Sequence, residues 1–191
     1  MENLESEIAG LYKGRYKGWM ETFSGRRVNP LNIRKSDISI KDIAHALSLI
    51  CRYGGHSKVF YSVAEHSIRV SYVIDPEYKL AALLHDSAEA YLGDIIRPLK
   101  HNFPEIIEAE RRALHTIFLK YGIKIDTEGE EAIKRIDNIL CATEARDLMS
   151  HVELWGGLPQ PLSGKIKPYP DSEVAEVSFL YLFEVYGGRE C

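Results

Sequence analysis

Apolar positions recur at helical spacing along most of the chain, and the breaks between them carry turn chemistry. Ser39 stands where it can cap a helix from Ile40 to about Arg52, with Ile43, Ala46, Leu47 and Ile50 on one face and Gly54-Gly55 after it. A second helix is predicted over about Ser62 to Val73, stopped by Asp75-Pro76. The third is read as continuous from Pro76 or Tyr78 to Tyr91, with Gly93 placed as a C-terminal cap. Asp94 to Asn102 reads as a loop around Pro98, and Pro104 then opens a fourth helix to about Tyr121. The fifth runs from about Glu128 to His151, its buried face marked by Ile133, Ile136, Leu140, Cys141 and Leu148. Asp171 or Ser172 caps a last helix to about Tyr186. Glu2 to Lys17 is short and polar with room for a first helical turn, and Trp19 to Asp37 is an ordered loop or small hairpin. Trp155 to Pro170, rich in Gly and Pro, reads as a long ordered loop of the kind used as a lid or interface.

The pattern is that of an all-α domain, with one domain over 1–191 and its core over about 38–187. Four polar residues interrupt its apolar stripes. His85 and Asp86 sit inside Ala82-Leu83-Leu84-His85-Asp86-Ser87-Ala88-Glu89, His66 lies within the second helix, and Asp137 lies between Ile136 and Leu140. A carboxylate carried into a packed interior costs several kcal/mol unless it is paired, hydrogen-bonded or bound to a metal. Each residue alone has an ordinary explanation. His66 could bond Glu65 or a backbone carbonyl, and Asp137 could pair with Arg135, Arg146 or Arg52. Together they supply two imidazole nitrogens and two carboxylates, a set suited to Mn, Fe, Co, Zn or Ni with positions left for water and substrate.

Composition narrows the function classes. The formal net charge of −4 gives no broad basic face for a nucleic-acid polymer. No run approaches the ~18 apolar residues of a membrane span, and the polar N-terminus is not a signal peptide. The three cysteines, Cys51, Cys141 and Cys191, are scattered, which fits a reducing, cytoplasmic setting and excludes a cysteine zinc site. Cys51 and Cys141 lie among apolar residues and read as small core hydrophobes.

The order His66, His85-Asp86, Asp137 on a helical chain resembles the HD-domain metal-dependent phosphohydrolases. The likeness extends through Asp42-Ile43-Ala44-His45, Arg52-Tyr53-Gly54-Gly55-His56, Tyr61-Ser62-Val63-Ala64-Glu65-His66-Ser67, His85 through Asp94, and Arg97-Pro98-Leu99-Lys100. These segments resemble the small 5′-deoxynucleotidases and phage deoxyadenosine triphosphate triphosphohydrolases. The resemblance implies an HD-domain helical bundle with His66, His85, Asp86 and Asp137 as ligands of a divalent transition metal. It implies Glu89 as the residue that orients or deprotonates the attacking water, and Asp94 as a second catalytic acid. Arg52, Arg97 and Lys100 are the candidate phosphate contacts, with His56 as a hydrogen-bond donor to phosphate or a ligand of a second metal, and Trp19 as an aromatic wall for a base. The implied substrate is a small-molecule deoxynucleotide, with a lean towards a dATP-type triphosphate. The alternative is a monophosphate, and a cyclic dinucleotide, an alarmone or a non-catalytic binding module stands further off. A homo-oligomer, dimer or hexamer, belongs to the same expectation.

Overall fold

The computed structural model describes residues 18–190, so the turn expected within Glu2–Lys17, like Cys191, lies outside the described residues. The fold is all-α, with eight α-helices and one two-stranded hairpin among the described residues. Strands β1 (Met20–Glu21) and β2 (Arg27–Val28) pair antiparallel, with Met20 opposite Val28. A buried carboxylate pins this hairpin: Asp42 accepts from Thr22 Oγ1 at 2.9 Å, Ser24 N at 2.7 Å and Ser24 Oγ at 2.8 Å. Phe23 stacks on His45 with ring centroids 3.7 Å apart.

Helix α1 (Ile40–Leu49) buries Ile40, Ile43, Ala44 and Leu47. It stops before Arg52, short of the reading above. Cys51 instead forms an antiparallel bridge with Ser62, so the backbone of Arg52 donates to Tyr61 O at 2.9 Å rather than to the helix. A tight turn follows over Arg52–Gly55, with Tyr53 at φ 59, the one positive φ of a non-glycine residue among those described. Helix α2 (Val63–Val73) begins at Ser62, whose side chain accepts from Glu65 N. It is the central helix, packing against α1 and against the later helices Lys79–Leu83, Thr127–Leu148 and Ser172–Val185.

The third helix expected from the sequence is broken. Only α3 (Lys79–Leu83) and α4 (Glu89–Leu92) are α-helical. Between them Ser87 N donates to Leu84 O and Glu89 N to Asp86 O, three residues back rather than four. Ser87 Oγ also donates to Leu84 O at 2.6 Å, taking a carbonyl the helix would otherwise use. Asp94–Asn102 is likewise not all loop, because α5 spans Arg97–Asn102. Pro98 falls in the first turn, where a missing N–H costs nothing. Helix α6 (Pro104–Lys120) ends at Gly122, and α7 (Thr127–Leu148) starts from Asp126, which accepts from Gly129 N at 2.9 Å. Helix α8 (Ser172–Val185) is capped by Asp171, which accepts from Val174 N at 2.9 Å.

Two apolar clusters fill the interior. One joins the hairpin, α1, α2 and α8 around Ile43, Leu47, Ile68, Phe179 and Phe183. The other joins the end of α2 to α3 and α7 through Val70, Ala81, Ile133, Ile136 and Leu140. The site lies where α2, α7 and the α3–α4 break meet. No helix among the described residues is long and apolar enough to cross a membrane.

Candidate functional site

Three elements bring the four polar anomalies together. His66 comes from α2, His85 and Asp86 from the α3–α4 break, and Asp137 from α7. One ligand atom from each of His66, His85 and Asp86 falls within 4.8 Å of the others. Asp86 Oδ2 lies 3.3 Å from His85 Nε2 and 3.7 Å from His66 Nε2, and Asp137 Oδ1 lies 3.1 Å from His66 Nε2.

The rings are oriented by their other nitrogens. His85 Nδ1 donates to Ala82 O at 2.8 Å, and His66 Nδ1 donates to Glu144 Oε1 at 2.6 Å. Each Nδ1 therefore carries a proton, and each Nε2 faces the shared point. Both Nε2 atoms are buried with no hydrogen bond. Two orphaned imidazole nitrogens beside two carboxylates form a donor set that fits a divalent transition ion. The ordinary partners weighed above are replaced by others: His66 bonds Glu144, and Asp137 pairs with another arginine. Glu65 is engaged by Arg69 and the Tyr169 N–H rather than by His66, and Asp137 pairs with Arg97 Nη2 at 3.0 Å rather than with Arg135, Arg146 or Arg52.

Glu144 is the residue the sequence reading missed. Its carboxylate has no solvent exposure and accepts from His66 Nδ1, Tyr61 OH at 3.0 Å, Arg52 Nε at 3.2 Å and Tyr53 OH. Burial pushes its pKa up, but the Arg52 guanidinium and the His66 imidazole outweigh burial and hold it at about 2. A signal was present: Glu144 follows Asp137 by seven residues, two helical turns along the same stripe.

Above the cluster opens a cleft of about 530 Å³. Asp86, Glu89, Asp94 and Asp137 line it together with Arg52, Arg97 and Lys100. Glu89 is buried on α4, with Oε1 3.3 Å from Lys100 Nζ and Oε2 without a hydrogen bond. Burial, then the charges of Asp86 and Asp94, raise its pKa against the opposing pull of Lys100. Each cation in the cleft is already engaged. Arg52 bonds Glu144 and lies 3.5 Å from Asp86, Arg97 bonds Asp137, and Lys100 bridges Glu89 and Glu110.

The aromatic wall differs from the one expected. Trp19 does not line this cleft; it is 53% exposed on the hairpin, with the Arg27 guanidinium 4.6 Å above its ring. The hairpin is pinned to α1 by Asp42, which keeps Trp19 away from the cleft. His56 is exposed beside Gly54 and is also absent from the lining. In their place stand Tyr53 and Trp155, edge to face with centroids 5.5 Å apart, flanked by Ile96 and Leu158. Cys141 lines the same wall as a buried small side chain, in keeping with its reading as a core hydrophobe, while Cys51 is only half-buried.

Fold and site thus define a class: an all-α chain with a buried-to-half-buried cluster of two histidines and two aspartates at the foot of an open cleft. No family model matches the chain. The chain is 42% identical over 130 residues to the uncharacterized protein YfdR of Escherichia coli, covering 68% of this chain and 72% of YfdR. It is 32% identical over 180 residues to an uncharacterized protein of Rhodobacter capsulatus, covering 83% of this chain and 92% of that protein. The chain belongs to the family of these proteins.

Proposed function

We propose that the protein is a metal-dependent phosphohydrolase of deoxynucleotides, of the HD-domain kind. One observation carries the reading: two buried Nε2 atoms without hydrogen bonds converge with Asp86 and Asp137 beneath a cleft that also holds the unsatisfied Glu89 Oε2. A divalent ion held by His66, His85, Asp86 and Asp137 would supply Lewis-acid polarisation of a phosphoryl oxygen and a lowered pKa for a bound water.

The chain's own residues supply the remaining chemistry. Glu89, desolvated and raised in pKa, accepts a proton from the attacking water, while Lys100 holds its other oxygen in place. Asp94, half-buried at the cleft wall, is placed to protonate the leaving oxygen. Arg52 and Arg97 hold Asp86 and Asp137 in position and present their remaining N–H groups to the cleft. Tyr53 and Trp155 offer flat apolar faces to a base.

Purified protein incubated with Mn, Co or Zn and a panel of deoxynucleoside mono- and triphosphates tests the reading. Free tripolyphosphate marks the triphosphohydrolase version, which we favour. Orthophosphate released from monophosphates marks the 5′-deoxynucleotidase version, and release from no nucleotide sinks both. A cytoplasmic, homo-oligomeric enzyme belongs to the same proposal. Val177, Tyr181 and Val185 leave an exposed apolar stripe on α8, which favours the last helix as the contact between copies. Light scattering of wild type against Tyr181→Glu tests that contact.

A further inference from the structure

We propose that Glu110 is a positioning residue of the same site: it holds the Lys100 ammonium back from Glu89 and so keeps Glu89 Oε2 free. The consequence for turnover rests on the phosphohydrolase reading, whereas the placement of Lys100 does not. Three helices meet at one ammonium group. Lys100 on α5 lies 2.9 Å from Glu110 Oε1 on α6 and 3.3 Å from Glu89 Oε1 on α4. The ammonium is thus nearer to Glu110, which does not line the cleft, than to Glu89, which does. Lys100 lines the cleft as well, so Glu110 acts there through Lys100 rather than by touching a ligand.

The surroundings of Glu110 mark it off from its neighbours on α6. Glu108 stays on the exposed side of the helix, with Arg111 and Arg112 as partners from the same helix. The Glu110 side chain turns inward, is 17% exposed, and crosses to a lysine on another helix. A carboxylate carried inward is costly unless it is paired. Burial and the charges of Asp86 and Asp94 push the Glu110 pKa up, and Lys100 pulls against them. Glu89 stands under the same three influences, so two desolvated acids draw on one lysine.

That sharing accounts for an oxygen left without a partner. Glu89 Oε2 is buried and makes no hydrogen bond, although a lysine with three N–H donors stands at Oε1 of the same carboxylate. The Lys100 side chain is only 20% exposed, so its attraction to a carboxylate is weakly screened. With Glu89 as its only acid it would draw in against both oxygens, and Oε2 would be occupied. Glu110 holds it to the Oε1 side. The sharing also leaves Glu89 less neutralised than a lysine of its own would, which suits a residue that accepts a proton.

Two substitutions separate charge from packing: Glu110→Gln keeps the shape and removes the charge, and Glu110→Asp keeps the charge and loses one methylene. Crystals of Glu110→Gln grown with Mn should show Lys100 Nζ against both oxygens of Glu89, and an ammonium that has not moved overturns the inference. Kinetics use the Mn-loaded protein and the deoxynucleotide that wild type hydrolyses fastest. Glu110→Gln should lower kcat about tenfold and leave KM within about twofold. Glu110→Asp should lose less than Glu110→Gln; the reverse order is that of a packing role and overturns the inference. Lys100→Met removes the intermediary, so adding Glu110→Gln to it should lower kcat no further, and an additive loss also overturns the inference. Glu108→Gln, on the exposed side of α6, controls for charge and should stay within about twofold of wild type. Wild type that turns over no nucleotide removes the phosphohydrolase reading, and the position of Lys100 in the Glu110→Gln crystals then decides the placement by itself.

Discussion

Replacing Glu144 by glutamine separates a residue that aims a ligand from one that merely fills space. The carboxylate is fully buried and serves four donors, including the His66 ring and the Arg52 guanidinium. Glutamine keeps its shape but turns one acceptor into an NH₂ donor, facing groups that also donate. Arg52 is then left buried with Asp86, 3.5 Å away, as its ion-pair partner and Asp137 further off. Removing one partner of a buried ion pair costs about 3–5 kcal/mol. With a melting shift of about 2–4 °C per kcal/mol for a chain of this size, Glu144→Gln should melt roughly 6–20 °C lower. Losing the partner that orients a ligating histidine typically weakens metal affinity by about 10–100-fold. Thermal melts of the metal-free protein and competition for Zn against a chromophoric chelator give the two numbers. Glu65→Gln is the matched control, because Glu65 is another buried carboxylate, bonded to Arg69 and to Tyr169 N away from the cluster. It should lose stability and keep its metal. Unchanged metal affinity in Glu144→Gln, or an equal loss in Glu65→Gln, would refute the reasoning.

Four further substitutions test separate parts of the site. Asp137→Ala removes one carboxylate of the cluster and frees Arg97, so metal content measured by mass spectrometry after dialysis should fall to near zero. Glu89→Gln should keep its metal yet lose about 10²–10⁴-fold in turnover, and full activity in that variant would remove Glu89 from the proton transfer. Trp155→Ala strips the aromatic wall from the cleft and should raise KM for a nucleotide more than for p-nitrophenyl phosphate, by about tenfold for a lost stacking contact of 1–2 kcal/mol. Asp42→Ala orphans the three donors of Thr22 and Ser24, and should cost about 2–4 kcal/mol in a urea titration and speed hydrogen exchange across the hairpin.

Helical periodicity carried most of the fold because α1, α2, α6, α7 and α8 each bury one apolar stripe; Asp171 caps α8 as its residue type predicts, whereas Ser39 holds the cap position of α1 without a side-chain hydrogen bond. It could not show the break after Leu83, since bonding three residues back instead of four leaves the apolar spacing almost unchanged over five residues. It also hid α5, because Pro98 reads as a breaker although the first turn of a helix tolerates it. At the site, the choice between Trp19 and Trp155 depended on two loop paths, one held by Asp42 and the other by the contact with Tyr53, and neither path has a period to read. The His–Asp cluster was legible for a different reason. His66, His85, Asp86 and Asp137 each violate an apolar stripe, and a violation is visible without knowing the partner. What the sequence left open was whether ordinary hydrogen bonds absorb them. Glu144 and the Ala82 carbonyl take the two Nδ1 protons, so each imidazole is fully oriented and still makes no hydrogen bond at Nε2. A histidine kept only for packing would have no need of that second nitrogen in the same place on two separate elements.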